Sequence, residues 1–166
     1  MPNTSSKYIL ETACFNLQSC LVAQQAGVNR IELCAEYTLG GITPSQTDIL
    51  KARELLNIPL HIIIRPRGGD FVYTTEEIEL MKRHILFCKE HRIDGVVFGV
   101  LNSDNTINKQ VNKELVKLAK PMSVTFHRAI DVCGNIEKAI SEIIELGFNK
   151  VLTSGGKQNA LKGIVN

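Results

Sequence analysis

The sequence predicts an α/β fold in which helices cover a parallel sheet. Short β-rich runs alternate with longer stretches of helical period, a pattern typical of βαβ units. Helix start and stop signals fall at the boundaries between these runs. The 166 residues are 44% hydrophobic and 22% charged, so the chain has enough apolar surface for one core.

Six strands and five or six helices follow from this pattern. We predict strands over residues 8–14, 30–34, 59–65, 95–100, 123–127 and 150–153. The predicted helices cover 17–26, 44–56, 75–91, 108–120 and 136–146, and a sixth begins near Asn159. No linker rich in Pro, Gly or Ser divides the chain, so we expect a disordered polar N-terminus over 1–7 and a single domain over 8–166.

Local helix signals support these boundaries in chain order. Gly27 can end the first helix in a left-handed turn. Thr43 is expected to cap a second helix whose first residue is Pro44. Thr74 and Glu77 have the spacing of a capping box at the start of the third helix.

The fifth helix carries the clearest apolar stripe. Its apolar side chains recur at i, i+3, i+4, i+7 and i+8, so one side can pack on the sheet. The stripe consists of Ile136, Ala139, Ile140, Ile143 and Ile144, and Gly147 can end the helix.

Composition excludes several classes of protein. The formal charge is +2, with no block of like charge, which predicts neither a nucleic-acid nor an anionic-membrane partner. The start lacks the pattern of a secretory signal and no apolar run reaches membrane-spanning length, so we expect a cytoplasmic protein. The five cysteines include no C-x-x-C pair, which favours free thiols over a disulfide framework or a zinc knuckle.

Acidic and thiol side chains are expected inside the sheet. In a parallel barrel, strand residues alternate between the interior and the helix layer, and functional groups gather at the carboxyl ends of the strands. This alternation predicts that Glu11 on the first strand, and Glu32 and Cys34 on the second, face the interior.

The third and fifth strands add basic groups at the same rim. Arg65 ends the inward register of the third strand, and Arg67 and Asp70 follow in a loop with two glycines. His127 ends the inward register of the fifth strand, and Arg128 comes directly after it. The candidate substrate-binding residues are Glu11, Arg65, Arg67, Asp70 and Arg128.

Two interpretations of this cluster stay open. Buried charges are costly unless they are paired, so Glu11, Glu32 and Arg65 could form a structural ion network that fills the barrel. His127 could transfer protons or simply be hydrogen-bonded in place. Cys34 is a candidate Cu(I) ligand, although free cysteines are also common as small buried residues.

Several motifs in register resemble the copper homeostasis protein CutC family. They are RIELC from Arg30, GGITPS from Gly40, IRPRGGDF from Ile64, VTFHRA from Val124 and VLTSG from Val151. The resemblance covers nearly the whole chain from the first strand and implies a cytoplasmic TIM-type (β/α)₈ barrel associated with copper tolerance. Such barrels have about 250 residues, so this chain would hold about six of the eight βα units. Open strand edges would then favour association, including a homo-oligomer.

The resemblance also implies copper binding, as Cu(I), by cysteines near the ends of the first and second strands. Cys34 matches the second of these. The first position departs from the family pattern, because Ala13 stands where members commonly carry cysteine and Cys14 is displaced by one residue. A shift of one residue turns a side chain to the opposite face, so Cys14 is the weaker metal candidate. Cys133 or His127 could complete the site instead.

The sequence therefore leaves the function open. The first hypothesis is a copper homeostasis protein that binds Cu(I). The second is a barrel enzyme for a small carboxylate or phosphate, with Arg65 and Arg67 as the anion clamp and Glu32 and His127 as an acid–base pair. The third is a non-catalytic scaffold. No standard catalytic motif occurs, so the sequence alone names no reaction.

Overall fold

Six parallel strands form one curled sheet in the order β1 to β6 in the computed structural model, which describes residues 8–164. The strands are Glu11–Cys14 (β1), Arg30–Leu33 (β2), Leu60–Ile63 (β3), Gly95–Phe98 (β4), Ser123–Phe126 (β5) and Lys150–Val151 (β6). The helices are Leu17–Gln25 (α1), Gln46–Leu55 (α2), Thr75–Glu90 (α3), Lys109–Ala119 (α4), Ile136–Leu146 (α5) and Ala160–Gly163 (α6). Each helix from α1 to α5 connects two neighbouring parallel strands, as the alternating pattern predicts.

The main core lies between the sheet and its helices. Alternate strand residues such as Ile31, Leu33 and Ile62 are fully or almost fully buried there, together with Met81 and Ile85 of α3. The remaining strand positions face the inside of the curled sheet. This two-sided burial explains why all four residues of β2, β3 and β4 are buried.

The observed strands are shorter than the predicted ones, and the loss is mostly at their carboxyl ends. Cys34, Arg65 and His127 each lie just beyond the last residue of a strand. The three side chains therefore begin loops at the rim while keeping the inward direction of their strands. Helix α5 has the predicted bounds.

The second helix does not begin where the sequence suggested. It starts at Gln46, and the side chain of Ser45, rather than that of Thr43, caps it by accepting a hydrogen bond from the Asp48 amide. The Thr43 hydroxyl instead accepts from the Arg65 amide at 2.8 Å and lies 3.2 Å from the Arg65 carbonyl oxygen. Thr43 thus connects the loop after β2 to the end of β3. Because its hydroxyl is hydrogen-bonded to the Arg65 backbone, it does not cap the helix.

The other predicted helix signals are confirmed. Thr74 and Glu77 form both bonds of the capping box. Gly27 and Gly147 have φ of +86° and +87°, the left-handed conformation that ends a helix.

The apolar stripe of α5 is buried only in part. Ala139 and Ile143 are buried, whereas Ile140 and Ile144 are 37% and 67% exposed. The homo-oligomer expected from open strand edges stays a prediction, and the predicted disorder of residues 1–7 lies outside the described residues. Within 8–164, no helix has the length and hydropathy needed to cross a membrane.

Candidate functional site

A cavity of about 200 Å³ opens at the carboxyl ends of the strands. It brings together five of the predicted site residues, Glu32, Cys34, Arg65, His127 and Arg128, which belong to β2 or lie just beyond the ends of β2, β3 and β5. We call it the rim cavity, and its lining consists of Ala13, Phe15, Glu32, Cys34, Gly40, Ile63, Arg65, Phe71, His127, Arg128 and Leu152. Most of its surface is apolar, so the few polar groups determine what it can bind.

Arg65 is a buried cation with neutral partners. One guanidinium nitrogen, Nη1, donates to the carbonyl oxygens of Leu39 at 2.8 Å and Gly41 at 2.9 Å, and Nη2 donates to that of Gly69 at 2.7 Å. The side chain also lies over the Phe71 ring at 4.9 Å. Its Nε is buried without a hydrogen-bond partner, and no carboxylate among residues 8–164 forms an ion pair with it.

His127 presents an unused donor to the same cavity. Its Nδ1 accepts a hydrogen bond from the Ala129 amide at 3.3 Å, which assigns the ring proton to Nε2. Burial, assisted by the charge of Arg65, lowers the pKa of His127 to about 3, so the ring is neutral at neutral pH. The side chain is 4% exposed, and Nε2 has no partner within the described part of the chain.

Glu32 and Cys34 form a buried carboxyl–thiol pair. The Cys34 Sγ donates to Glu32 Oε1 at 3.7 Å, because residues two apart on a strand face the same side. Burial and the nearby Glu11 charge raise the pKa of Glu32 to about 7. Burial, followed by the neighbouring Glu32 charge, raises the pKa of Cys34 well above its usual range, so the group is a thiol at neutral pH.

Gly95 on β4 and Gly99, directly after its last residue, make room for the histidine rings, and the sequence analysis overlooked them. A Cβ on Gly95 would lie 2.5 Å from Nε2 of His61, and one on Gly99 would lie 2.9 Å from Nδ1 of His127. Both positions belong to the inward register of β4. Residues four apart on a strand face the same side, so the spacing of the two glycines in the sequence was the signal that could have identified them.

Glu11 does not share the rim cavity. It lies at the amino end of β1, where it accepts a hydrogen bond from Arg30, which is itself 9% exposed. His61 lies near this pair, and burial, with the Arg30 charge, lowers the pKa of His61 to about 4. Of the residues in the expected structural ion network, Glu11 does form an ion pair, but its partner is Arg30 and not Arg65.

Arg67 and Asp70 are also absent from the cavity lining. Arg67 Nε donates to Glu77 at 2.7 Å, and Nη2 donates to Asp70 at 2.9 Å. Glu77 belongs to the capping box of α3, so the helix start holds Arg67 away from the cavity. The anion clamp expected from two arginines thus reduces to Arg65, with Arg128 at the cavity edge.

The cysteines do not converge on one site. Cys34 is the one of the five that lines the rim cavity. Cys14 lies in the core beneath α1, where its thiol interacts with that of Cys20. Cys133 is half-buried and donates to the Ala129 carbonyl oxygen at 3.7 Å. Residues 8–164 contain no group of three or more His, Cys, Asp and Glu side chains arranged to hold a metal ion.

Arg128 and Asp131 organise the loop after β6. The Asp131 carboxylate accepts from the amides of Ser154 and Gly156 and from the hydroxyl of Thr153, and Arg128 Nε donates to it at 2.8 Å. Burial alone would raise the pKa of Asp131, but these hydrogen bonds outweigh it and hold the pKa at about 2. Asp131 therefore fixes the loop that flanks Arg128.

We predict that Asp131→Asn lowers the free energy of unfolding by about 2 kcal/mol at pH 7, because charge-assisted hydrogen bonds are lost. The contribution of Asp131 is present above its ordinary pKa of 3.8 and disappears as the pH falls through about 2. The difference between variant and wild type should therefore shrink between pH 4 and pH 2, as urea unfolding would show. Asp104→Asn is the control, since its carboxylate makes similar bonds to Thr106 on the surface. Equal destabilisation by both variants would contradict the prediction.

Comparison with known sequences gives one family over almost the whole chain. The CutC family model matches residues 8–166. A CutC family protein from Bacteroides thetaiotaomicron is 47% identical over 159 residues, which cover 95% of this chain and 64% of the relative. One from Photorhabdus laumondii is 44% identical and covers 93% and 62%, respectively. The chain therefore spans a little less than two thirds of the length of these relatives.

Comparison with solved structures supports the same grouping and confirms the barrel-type fold. A crystal structure named as the copper homeostasis protein CutC from Streptococcus agalactiae has a TM-score of 0.89 at 32% identity, covering 95% of this chain and 79% of the other. A phosphoenolpyruvate phosphomutase from Streptomyces platensis has a TM-score of 0.61 at 14% identity and covers 96% and 65%. That second likeness shows the fold alone.

Proposed function

The chain belongs to the CutC family, and on this premise we propose that the rim cavity binds a small carboxylate anion. The observation that carries the proposal is Arg65, a residue 5% exposed whose guanidinium has carbonyl oxygens and the Tyr73 hydroxyl as neighbours and no ion pair with a carboxylate of residues 8–164. A buried cation without a counterion is costly. A bound anion would supply the missing negative charge.

The charge and size of the cavity favour a small carboxylate over a phosphate. Arg65 is the one lining cation that lacks an acidic partner among the described residues, because Arg128 is paired with Asp131. Arg65 supplies one positive charge and Glu32, whose pKa is near 7, lines the same cavity, so the lining suits a monoanion better than a dianion. A volume of about 200 Å³ is below the range for drug-sized ligands, and the lining includes Phe15, Ile63 and Leu152. A carboxylate with a short carbon skeleton fits these properties.

The neighbouring groups support a chemical role as well as binding. His127 Nε2–H can donate to an oxygen of the ligand without a change of protonation state. Glu32, with a pKa near 7, can exchange a proton at neutral pH. The proposed function is therefore that of a carboxylate-binding enzyme. Arg65 holds the anion, Glu32 exchanges a proton with the reacting group, and His127 donates a hydrogen bond to it.

Lactate and lactamide provide the direct test, because they have the same shape and differ in charge. Lactate should raise the melting temperature of the full chain with increasing concentration, since a ligand that binds the folded state stabilises it. Lactamide should have no effect at the same concentrations, and inorganic phosphate should have a smaller one than lactate. Equal shifts with lactate and lactamide, or no shift with lactate or other small carboxylates, would reject the proposal.

The second candidate is Cu(I), bound as cargo. The observation in its favour is that the Cys34 thiol and the neutral His127 ring line one cavity, and both ligand types suit copper. Its weakness is that Cys14 faces the core, which leaves Cys34 as the one thiol at the cavity, and residues 8–164 contain no group of three metal-ligating side chains. Competition titration with a Cu(I) chelator would test it: unchanged affinity in Cys34→Ala would reject Cu(I) binding at this cavity.

A cytoplasmic location is part of the same proposal. All five cysteines are free thiols, and four of them are buried. Free thiols are typical of proteins kept in a reducing compartment.

A further inference from the structure

We propose that Cys34 is a nucleophile that adds to the carbonyl carbon of a 2-oxo acid, with Glu32 as its general base. This inference rests on the proposed carboxylate site and names the substrate class. It starts from the 3.7 Å contact between the Cys34 thiol and Glu32 Oε1, which places a nucleophile and a base within reach of each other. Both side chains line the rim cavity.

The carboxylate site lies next to this pair through a shared glycine. The Gly41 carbonyl oxygen accepts from Arg65 Nη1 at 2.9 Å. A Cβ on the same glycine would lie 3.5 Å from the Cys34 Sγ. Arg65 and Cys34 therefore flank one residue, whose φ of +90° favours glycine. A carboxylate held by Arg65 would bring its adjacent carbon towards the thiol.

Besides a nucleophile and a base, carbonyl addition requires a hydrogen-bond donor for the carbonyl oxygen, and an independent observation supplies it. The His127 side chain belongs to the lining of the same cavity, and its Nε2–H is buried and lacks a partner among residues 8–164. Such a donor is suited to the oxygen of a carbonyl group, on which negative charge develops during addition. Because the ring is neutral, it donates a hydrogen bond and keeps its proton.

The addition is balanced without an oxidant or a cofactor. The thiol proton passes to the Glu32 carboxylate while the sulfur electron pair forms the C–S bond. The carbonyl π pair moves to the oxygen, which His127 stabilises. Glu32 then returns the proton to that oxygen, giving a neutral thiohemiketal and restoring the carboxylate. The net change is addition of S–H across C=O.

Pyruvate labelled with ¹³C at C2 gives a direct readout by NMR. With the full chain, the C2 signal of bound pyruvate should move from the ketone region to that of a tetrahedral carbon bonded to oxygen and sulfur. The signal should be absent with Cys34→Ala, and Glu32→Gln should slow its formation about 100-fold. Cys133→Ala, which alters a thiol outside the cavity, should leave it unchanged.

Lactate binding distinguishes failure of the carboxylate site from failure of the nucleophile assignment. If lactate binds but labelled pyruvate gives no tetrahedral signal, the nucleophile assignment is overturned and the carboxylate site stands. If a signal forms equally in Cys34→Ala, the assignment is also overturned. If lactate does not bind, the proposed function itself fails. A signal that requires Cys34 and forms more slowly in Glu32→Gln would support the assignment, whereas formation at the wild-type rate in Glu32→Gln would overturn the role of Glu32 as the base.

Discussion

Arg65→Met is expected to weaken lactate binding about 100-fold, which corresponds to about 3 kcal/mol. Methionine keeps much of the volume of the side chain but removes the charge that the anion would neutralise. The variant should also unfold at lower denaturant concentration, because the carbonyl oxygens of Leu39, Gly41 and Gly69 lose their donors. Calorimetric titration and urea unfolding of the same preparation measure the two effects.

Arg67→Met is the matched control for that experiment. It removes an arginine two residues away, whose ion pairs are with Glu77 and Asp70 outside the rim cavity. Its lactate affinity should equal that of the wild type. Arg65→Lys keeps the charge without the planar fork and tests binding if the methionine variant does not fold. Unchanged affinity in a folded Arg65 variant that lacks the charge, or equal losses at the two arginines, would contradict the role of Arg65.

Gly99→Ala is expected to damage both packing and binding. The added Cβ would lie 2.8 Å from Cζ of Phe126 and 2.9 Å from Nδ1 of His127, so the rings must move. Overpacking of this kind costs about 1–3 kcal/mol of stability. Because the displaced ring also carries the Nε2–H donor, lactate affinity should fall about tenfold, the loss expected for one hydrogen bond to a charged group.

Gly134→Ala shows whether these effects depend on the site. Apart from its chain neighbours, no atom of residues 8–164 lies within 4 Å of a Cβ at Gly134, and that residue does not have a left-handed conformation. Its stability and affinity should stay close to those of the wild type. Wild-type lactate affinity in Gly99→Ala would mean that the position of His127 does not matter for binding.

The sequence predicted the polar lining of the rim cavity because strand periodicity and strand ends are local properties. Glu32 and Cys34 follow the inward register of β2, and Arg65 and His127 end those of β3 and β5. The apolar residues between them identified the opposite face. The alternation of strands and helices similarly predicted a parallel sheet, and the family resemblance implied its barrel order.

Periodicity could not predict how deep a side chain lies along the barrel axis. Glu11 has the inward register, yet it lies at the amino end of β1 and pairs with Arg30. Arg30 was overlooked because a charge at the start of a strand is usually solvated, whereas here it is 9% exposed. Depth depends on the relative stagger of neighbouring strands, which only the register of the sheet reveals.

Strand patterns could not predict the direction of a loop side chain or the space left by a glycine, for two different reasons. Arg67 follows β3 by a few residues, but its direction is set by Glu77 at the start of α3. Gly95 and Gly99 act through the space that they leave for His61 and His127. Such space is a property of two strands together, so one strand pattern does not contain it.

The family relationship and the geometry emphasise different ligands. The name of the Streptococcus agalactiae structure refers to copper homeostasis, whereas the rim cavity contains one cysteine and an arginine without an acidic partner among residues 8–164. A carboxylate site explains Arg65 and the unpaired His127 donor together. A copper site at Cys34 explains neither the charge of Arg65 nor its surroundings.

The histidine ring nitrogens provide the most direct measurement of the central claim. The sequence has four histidines, so ¹⁵N-labelled imidazoles give few signals, and His127→Gln identifies the one of interest. On titration with lactate, the Nε2 signal of His127 should move saturably and keep the character of a neutral, protonated nitrogen. The chemical shifts of His84, which lies on α3, and of His91, which follows its last residue, should not change. An unmoved His127 signal throughout the titration would contradict carboxylate binding in the rim cavity.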